Sequence, residues 1–335
     1  MPGPAAGDYP FRKRHAMNIE VSEYPEGSIP LIVILGPTAV GKTEIALALA
    51  ERLGGEIVSA DSRLFYRGMD IGTAKPTLAA RVRVPHHLID VAEPDEVWSL
   101  AIFQQAARQA IVEIHQRGHL PFLVGGTGQY IRAVIEGWQS PPVQPAPRLR
   151  AALEAWAKEI SPQKLHAGLA LLDPQAAAQI DYRNLRRTVR ALEVVFSTGR
   201  RFSEQRGRSL SPYRTLLLGL TRPRSELYAR IDARIQAMVE AGLVGEVQSL
   251  LARGYSPALP ALSAIGYREI VAHLQGKMTL EEAVTQMKRL TRIFVRRQAN
   301  WFKESDPQIH WFRVGSQSIV EIEAKIRSAF FGNPG

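Results

Sequence analysis

The sequence predicts an α/β fold, a doubly wound parallel sheet with a helical insertion. Three observations predict it. A continuous apolar run, Leu31-Ile32-Val33-Ile34-Leu35, reads as a buried parallel strand and leads straight into Gly36-Pro37-Thr38-Ala39-Val40-Gly41-Lys42-Thr43. Further short apolar runs alternate with segments of helical period, the signature of parallel strands joined by helices. Between Trp138 and about Pro212 that alternation stops, and prolines bracket a set of helical stripes.

The first 28 residues contain Pro and Gly and lack an apolar signal core, so they are expected to form a flexible tail. Arg12-Lys13-Arg14 reads as a solvated run and Met17 as an alternative start. After the first strand and its glycine loop, Ala46, Leu49, Ala50 and Leu53 mark one face of a helix. Glu56 to Ala60 reads as a second strand ending at Asp61, residues 100–117 as a helix, and Phe122-Leu123-Val124 as a strand with Pro121 at its start. Gly125-Gly126-Thr127-Gly128 is a second glycine-rich strand exit. Gly36, Asp61 and Thr127 all follow strand ends, where open parallel sheets bind ligands, so one cleft is expected to hold them. Thr215 to Leu220 is a later strand, and 224–253 and 279–303 read as long helices. The expected organisation is a core of 29–137 and 213–315, an insertion of 138–212, and a C-terminal helix or tail of 316–335.

The spacing G-x-x-x-x-G-K-[ST], set between strand and helix, is a P-loop, so the sheet is P-loop-type. Glycines let the backbone turn and aim N–H groups inward, and the helix N-terminus adds partial positive charge. Lys42 is expected to reach terminal phosphates, and the Thr43 hydroxyl to meet Mg²⁺. The loop specifies a pyrophosphate ligand without specifying ATP. The strand ending Leu123-Val124 carries no carboxylate, which weakens the ATPase reading.

The chain has 335 residues, 45% hydrophobic and 22% charged, an ordinary globular composition. No cysteine is present, which excludes disulfides, thiolate catalysis and Cys-based zinc sites and fits a cytoplasmic protein. No apolar stretch approaches the roughly 20 residues that span a bilayer. The formal charge of +10 favours polyanionic partners, though solubility alone also accounts for it.

Asp61 has two readings: metal binding or proton transfer, and a cap or loop hydrogen bond. Asp70 reads as a turn residue. Arg183, Arg187 and Arg190 are spaced to share one face of a 183–196 helix, with Arg186 beside them, and read either as phosphate ligands or as a solvated face. Lys288, Arg289, Arg292, Arg296, Arg297 and Lys303 form a second basic group, with Trp301 and Phe302 open to base stacking or to core packing. Arg230 and Arg234 lie one turn apart, placed to reach a phosphate held by the loop. His86 and His87 are adjacent and point apart in a strand, which argues against a shared metal and for hydrogen-bonding roles.

Several rarer strings follow one another in order: Ser59-Ala60-Asp61-Ser62-Arg63, Tyr66 through Pro76, Pro85-His86-His87-Leu88-Ile89-Asp90, Val124 through Gly128, Arg190-Ala191-Leu192-Glu193, Gly266-Tyr267-Arg268, and Arg297-Gln298 leading to Trp301-Phe302. With the phosphate loop, they resemble the tRNA dimethylallyltransferase (isopentenyltransferase) family over about Leu31 to Arg313. The resemblance implies transfer of a dimethylallyl group from dimethylallyl diphosphate to N6 of the adenine 3′ of the anticodon, with Mg²⁺. It implies Asp61 as general base with Thr38 on the diphosphate. It implies that residues 36–43 with Arg230 and Arg234 hold the diphosphate, and Thr43 the metal. Carried over in the same way, Asp61, Ser62, Arg63, Leu64, Thr127, Arg150, Arg186, Arg187, Thr188, Val189 and Arg190 contact tRNA, and the insertion grips the anticodon stem-loop. The segment Asp181 to Leu185 departs from the proline-containing form of the family. Lacking a cysteine/histidine zinc finger after the core, the chain resembles the compact bacterial type, and a cytoplasmic monomer is expected. Two readings compete: a P-loop small-molecule kinase, and a non-catalytic RNA-binding protein.

Overall fold

The computed structural model describes residues 28–139, 141, 143, 146–205 and 207–332. The expected N-terminal tail, with Arg12-Lys13-Arg14 and Met17, and part of the proline linker lie outside the described residues. The strands are β1 (Ile29–Leu35), β2 (Gly55–Ser59), β3 (His86–His87), β4 (Leu120–Gly125), β5 (Trp138–Gln139), β6 (Gly207–Arg208), β7 (Tyr213–Thr221) and β8 (Ile309–Arg313). The α-helices are α1 (Lys42–Leu53), α2 (Leu78–Arg83), α3 (Leu100–Gln116), α4 (Gly128–Ile135), α5 (Pro147–Ile160), α6 (Pro162–Leu172), α7 (Pro174–Gln179), α8 (Leu185–Thr198), α9 (Arg224–Glu240), α10 (Leu243–Ala252), α11 (Tyr267–Leu274), α12 (Leu280–Gln298) and α13 (Ser318–Phe330).

Two compact units emerge. The first takes the described residues up to Glu96, then Gln109–Thr127, then those from Tyr213 onward. The second is Val97–Arg108 with Gly128–Pro212. The expected 138–212 insertion lies inside the second unit, which also takes in α4 and the first half of α3.

The first unit carries a 6-stranded sheet in the order β3-β2-β4-β1-β7-β8. Each pairing is parallel, so the carboxyl ends share one edge. Leu31 to Leu35 are fully buried, as a central strand covered on both faces requires. Each such aliphatic side chain contributes about 1.5–3 kcal/mol as an upper value. At the amino end of β2 the buried Glu56 accepts from His87 Nε2 (2.6 Å), His119 Nδ1 (2.6 Å) and both forks of Arg117. Burial alone would raise this carboxyl; the hydrogen bonds from His87, Arg117 and His119 outweigh it and hold it near 2.

The second unit is helical apart from the antiparallel β5–β6 pair. Leu153 and Ala157 of α5, Leu165 and Leu169 of α6, Ala176 and Ala177 of α7, and Val189 and Leu192 of α8 form its core. Side chains of Ser161, Asp173 and Asn184 cap α6, α7 and α8, and left-handed Gly199 ends α8.

Two helical expectations need correction. The 224–253 stretch is two helices, because Gly242, at φ 98°, breaks it between α9 and α10. The stretch expected to run to 303 ends as α12 at Gln298, after a start fixed by the reciprocal Thr279/Glu282 cap.

Candidate functional site

Gly41, at φ 112°, turns the chain from the phosphate loop into α1. Ala39 is also left-handed, at φ 67°, an uncommon state for a residue with a side chain and one the loop must hold in place. Three cations secure the loop. Lys42 Nζ donates to Gly36 O (3.0 Å) and Pro37 O (2.9 Å), Arg222 Nε to Val40 O (2.9 Å), and Arg230 Nε to Ala39 O (2.7 Å). Arg230 also faces Glu44 at 3.7 Å.

Lys42 is half-buried as a residue, but its ammonium is withdrawn from water. Desolvation pulls its pKa from the usual 10.5 to about 8, with Arg234 adding to the fall and Asp61 and Glu44 opposing it. Burial lowers the Arg234 pKa as well, again offset by Asp61 and Glu44. Lys42 at the end of the loop, Arg234 of α9 and Asp61 therefore share one electrostatic environment.

Asp61 follows β2, where Ala60 N–H donates to Val124 O at 2.8 Å. Its Oδ1 accepts from the Arg63 amide (3.0 Å), so the loop hydrogen bond is real. That bond fixes the carboxylate and leaves Oδ2 for another partner. The loop reading of Asp61 is thus observed. A cleft of roughly 410 Å³ joins Asp61 to Lys42, Thr43 and Ser59, and continues past Ala46, Ile57, Leu64, Pro76, His86, Ile89 and Val124. Its lining thus combines charged and hydroxyl side chains with a set of apolar ones. Ser62, Arg63 and Leu64 form the turn after Asp61, with Arg63 donating to Pro260 O at 3.1 Å. Thr127 follows β4 on the same sheet edge as the phosphate loop.

The arginines of the second unit divide differently from the expected single face. Arg183 precedes α8 and its cap Asn184, and is paired with Asp181 at 2.5 Å, so it is not on the helix. Arg186 and Arg187 are exposed, and among the described residues neither has a carboxylate partner. Thr188 and Val189 are buried (0% and 2% exposed), which corrects the expectation of RNA contact there: Val189 packs in the helical core. Arg190 Nη1 meets the buried Glu193 at 2.5 Å and Nη2 meets Val143 O. Arg150 meets the same Glu193 through two nitrogens at 2.8 and 2.9 Å. Burial would raise the Glu193 carboxyl, but Arg150, Arg190 and the Ala146 amide hold it below its ordinary range.

Arg292 of the other basic group pairs with Asp232 at 2.5 Å and lies over the Tyr228 ring. His86 and His87 take hydrogen-bonding roles with Val84 O and Glu56, as expected of adjacent strand residues. Asp70 binds Lys75 in its turn. Sequence reasoning missed Glu193 as the anchor of two arginines, Gln298 beside the phosphate loop, and Glu246, which accepts from the amides of Asp70, Ile71 and Gly72 and from Tyr267 Oη. Glu193 and Gln298 lie inside the resemblance strings, the only signal that marked them.

Comparison with known proteins identifies the family. The model of the IPP transferase family matches residues 64–305. The tRNA dimethylallyltransferase of Roseiflexus sp. is 56% identical over 82% of this chain and 90% of its own length. That of Thermomicrobium roseum is 52% identical, covering 85% and 86%. Among solved structures, the full-length tRNA isopentenylpyrophosphate transferase of Bacillus halodurans is 44% identical with a TM-score of 0.67, covering 90% of this chain and 96% of that one. A eukaryotic dimethylallyltransferase, captured acting on tRNA, is 27% identical with a TM-score of 0.76, covering 90% and 78%. On its phosphate loop, its Asp61 cleft and these similarities, the chain belongs to the IPP transferase family, the tRNA dimethylallyltransferases.

Proposed function

We propose that this chain transfers a dimethylallyl group from dimethylallyl diphosphate to N6 of the adenine 3′ of the anticodon in tRNA, releasing diphosphate. The observation that carries the reading is one cleft whose lining brings Lys42, Thr43 and Asp61 together with apolar side chains such as Ile57, Leu64, Ile89 and Val124. A triphosphate chain does not need that apolar lining; an isoprenoid does.

In the reaction the C1–O bond of the allylic diphosphate breaks, and its electron pair leaves with the diphosphate. The adenine N6 lone pair forms the new N–C1 bond, and the N6 proton passes to Asp61, whose Oδ1 is already held by the Arg63 amide. Lys42, Arg230 and Arg234, with backbone N–H groups of the loop, neutralise the leaving group, and Thr38 contacts it. The adenine leaves its stack to reach the cleft.

The donor set fits Mg²⁺. The cleft offers the Thr43 and Ser59 hydroxyls and one carboxylate, Asp61. No cluster of three or more His, Cys, Asp or Glu suited to a metal occurs among the described residues. A hard cation held by few protein oxygens, substrate phosphates and water matches that set. When bound, the ion would supply charge neutralisation at the diphosphate.

Contacts to tRNA are assigned to Asp61, Ser62, Arg63, Leu64 and Thr127 in the first unit and to Arg150, Arg186, Arg187 and Arg190 in the second. No described helix is long and apolar enough to cross a membrane. A tRNA substrate puts the enzyme in the cytoplasm, and one chain carries every group the reading uses, so a monomer suffices.

Incubation with unmodified tRNA and either dimethylallyl diphosphate or ATP, followed by mass spectrometry of the nucleosides, tests the reading. Isopentenyladenosine with the allylic donor supports it. ATP turnover without prenyl transfer would make the protein a kinase.

A further inference from the structure

β1 and β4 are neighbours, with Leu35 opposite Gly125, so the phosphate loop and the Gly125–Gly128 loop leave the sheet side by side. One side chain from far along the chain joins them. The Thr38 amide donates to Gln298 Oε1 at 2.9 Å, and Gln298 Nε2 donates to Gly126 O at 3.1 Å. A carboxamide accepts through its oxygen from one neighbour while its nitrogen donates to the other. Glutamate accepts but cannot donate, and an apolar residue does neither.

Gly126 supplies an independent observation. It is not among the glycines of positive φ, so its backbone makes no demand for glycine. A Cβ built there collides with Gln298 Nε2. The glycine therefore leaves room for the carboxamide. Gln298 itself is the last residue of α12, a helix anchored by buried Ala283, Met287 and Val295. The link is thus tied to a packed element.

We propose that Gln298 is a positioning residue that couples the donor loop, through Thr38, to the acceptor loop, through Gly126 and Thr127. The proposal rests on the reading of the two loops given above. A ligand that orders one loop orders the other through Gln298, leaving less conformational entropy for the second ligand to lose. Binding of the two substrates is then mutually favourable, and the coupling is reciprocal.

The test measures binding of an anticodon stem-loop RNA to the full chain with and without Mg²⁺ and inorganic diphosphate. In the unsubstituted protein, saturating diphosphate tightens RNA binding by about fivefold or more. Gln298→Leu and Gln298→Glu each abolish this enhancement while the RNA affinity without diphosphate changes by less than about threefold. Gly126→Ala, which displaces the carboxamide with Gln298 retained, abolishes it too. Enhancement that persists in all three variants, even with a lowered melting temperature, reduces Gln298 to a structural residue and overturns the proposal. An unsubstituted enzyme that prenylates tRNA but whose RNA affinity ignores diphosphate overturns the proposal and leaves the functional reading standing. A protein that neither binds this RNA nor transfers the prenyl group overturns both.

Discussion

In the unit built on the sheet, Lys42, Arg222 and Arg230 turn their donors onto backbone carbonyls of the phosphate loop. In the helical unit, Arg150 and Arg190 turn theirs onto one buried carboxylate, Glu193, while Arg186 and Arg187 stay exposed. The same residue types thus serve two ends. Cations around the loop are pre-arranged for a small, highly charged ligand, at the cost of desolvating Lys42 and Arg234. In the helical unit, Arg150 of α5 reaches Glu193 of α8 and Arg190 shares that anion from within α8, while among the described residues the exposed Arg186 and Arg187 have no carboxylate partner. The comparison yields predictions that differ in kind: chemistry and donor binding in one unit, folding and salt dependence in the other.

The largest expected effect belongs to Asp61. Asp61→Ala lowers turnover by about 10²–10⁴, the range for a positioned base, with RNA affinity largely kept. Single-turnover prenyl transfer reads it, and an unchanged rate removes Asp61 from the mechanism.

Next comes Glu193. Glu193→Ala leaves two guanidinium groups without their anion and costs about 2–4 kcal/mol, toward the lower part of the range for breaking a buried pair because both arginines reach solvent. Denaturant unfolding measures it. The pH sign follows from the lowered carboxyl. The pair's contribution is present above the unfolded glutamate pKa and is lost as pH falls through the folded one, so acid narrows the gap between the two proteins. A gap that widens in acid contradicts the ion-pair account.

Lys42 predicts an opposite stability change. With a folded pKa of about 8 against 10.5 unfolded, the protein bears the full cost of burying this charge below pH 8, and Lys42's contribution to stability rises between the two values. Lys42→Met therefore stabilises the fold at neutral pH by roughly 1–3 kcal/mol, discounted for nearby solvent, while donor binding is lost. In the unsubstituted enzyme the KM for the donor rises above pH 8, by up to about tenfold per unit. A flat profile through pH 9.5 would place the Lys42 pKa higher than its burial implies.

Arg187→Ala is the smallest effect: tRNA binding weakens modestly and the slope of log K against log salt falls by about 1. An identical slope means that Arg187 is only solvated.

Local signals carried the first unit. The phosphate loop is contiguous, β1 is an unbroken apolar run, and Asp61 and Thr127 follow strand ends, so each was legible. The helix breaks were less so: Gly242 inside an otherwise helical pattern ends α9 only because it adopts a left-handed conformation. Partnerships across sequence were not legible. Arg150 and Glu193 are 43 residues apart, and Thr38 and Gln298 are 260 apart. Arg183 and Arg190 look equivalent by helical spacing, yet one lies before the cap Asn184 and the other on a buried anion. The cap at Asn184 and the buried Glu193 of the same helix separate them.

The central claim is that the phosphate loop clasps the diphosphate of an allylic donor within reach of Asp61. A crystal structure with the unreactive thio analogue of dimethylallyl diphosphate and Mg²⁺ tests it most directly. The account predicts the diphosphate on Lys42 and on backbone N–H groups of the phosphate loop, with the allylic carbon facing Asp61. An analogue bound elsewhere on the chain, or with its allylic carbon turned away from Asp61, would contradict it.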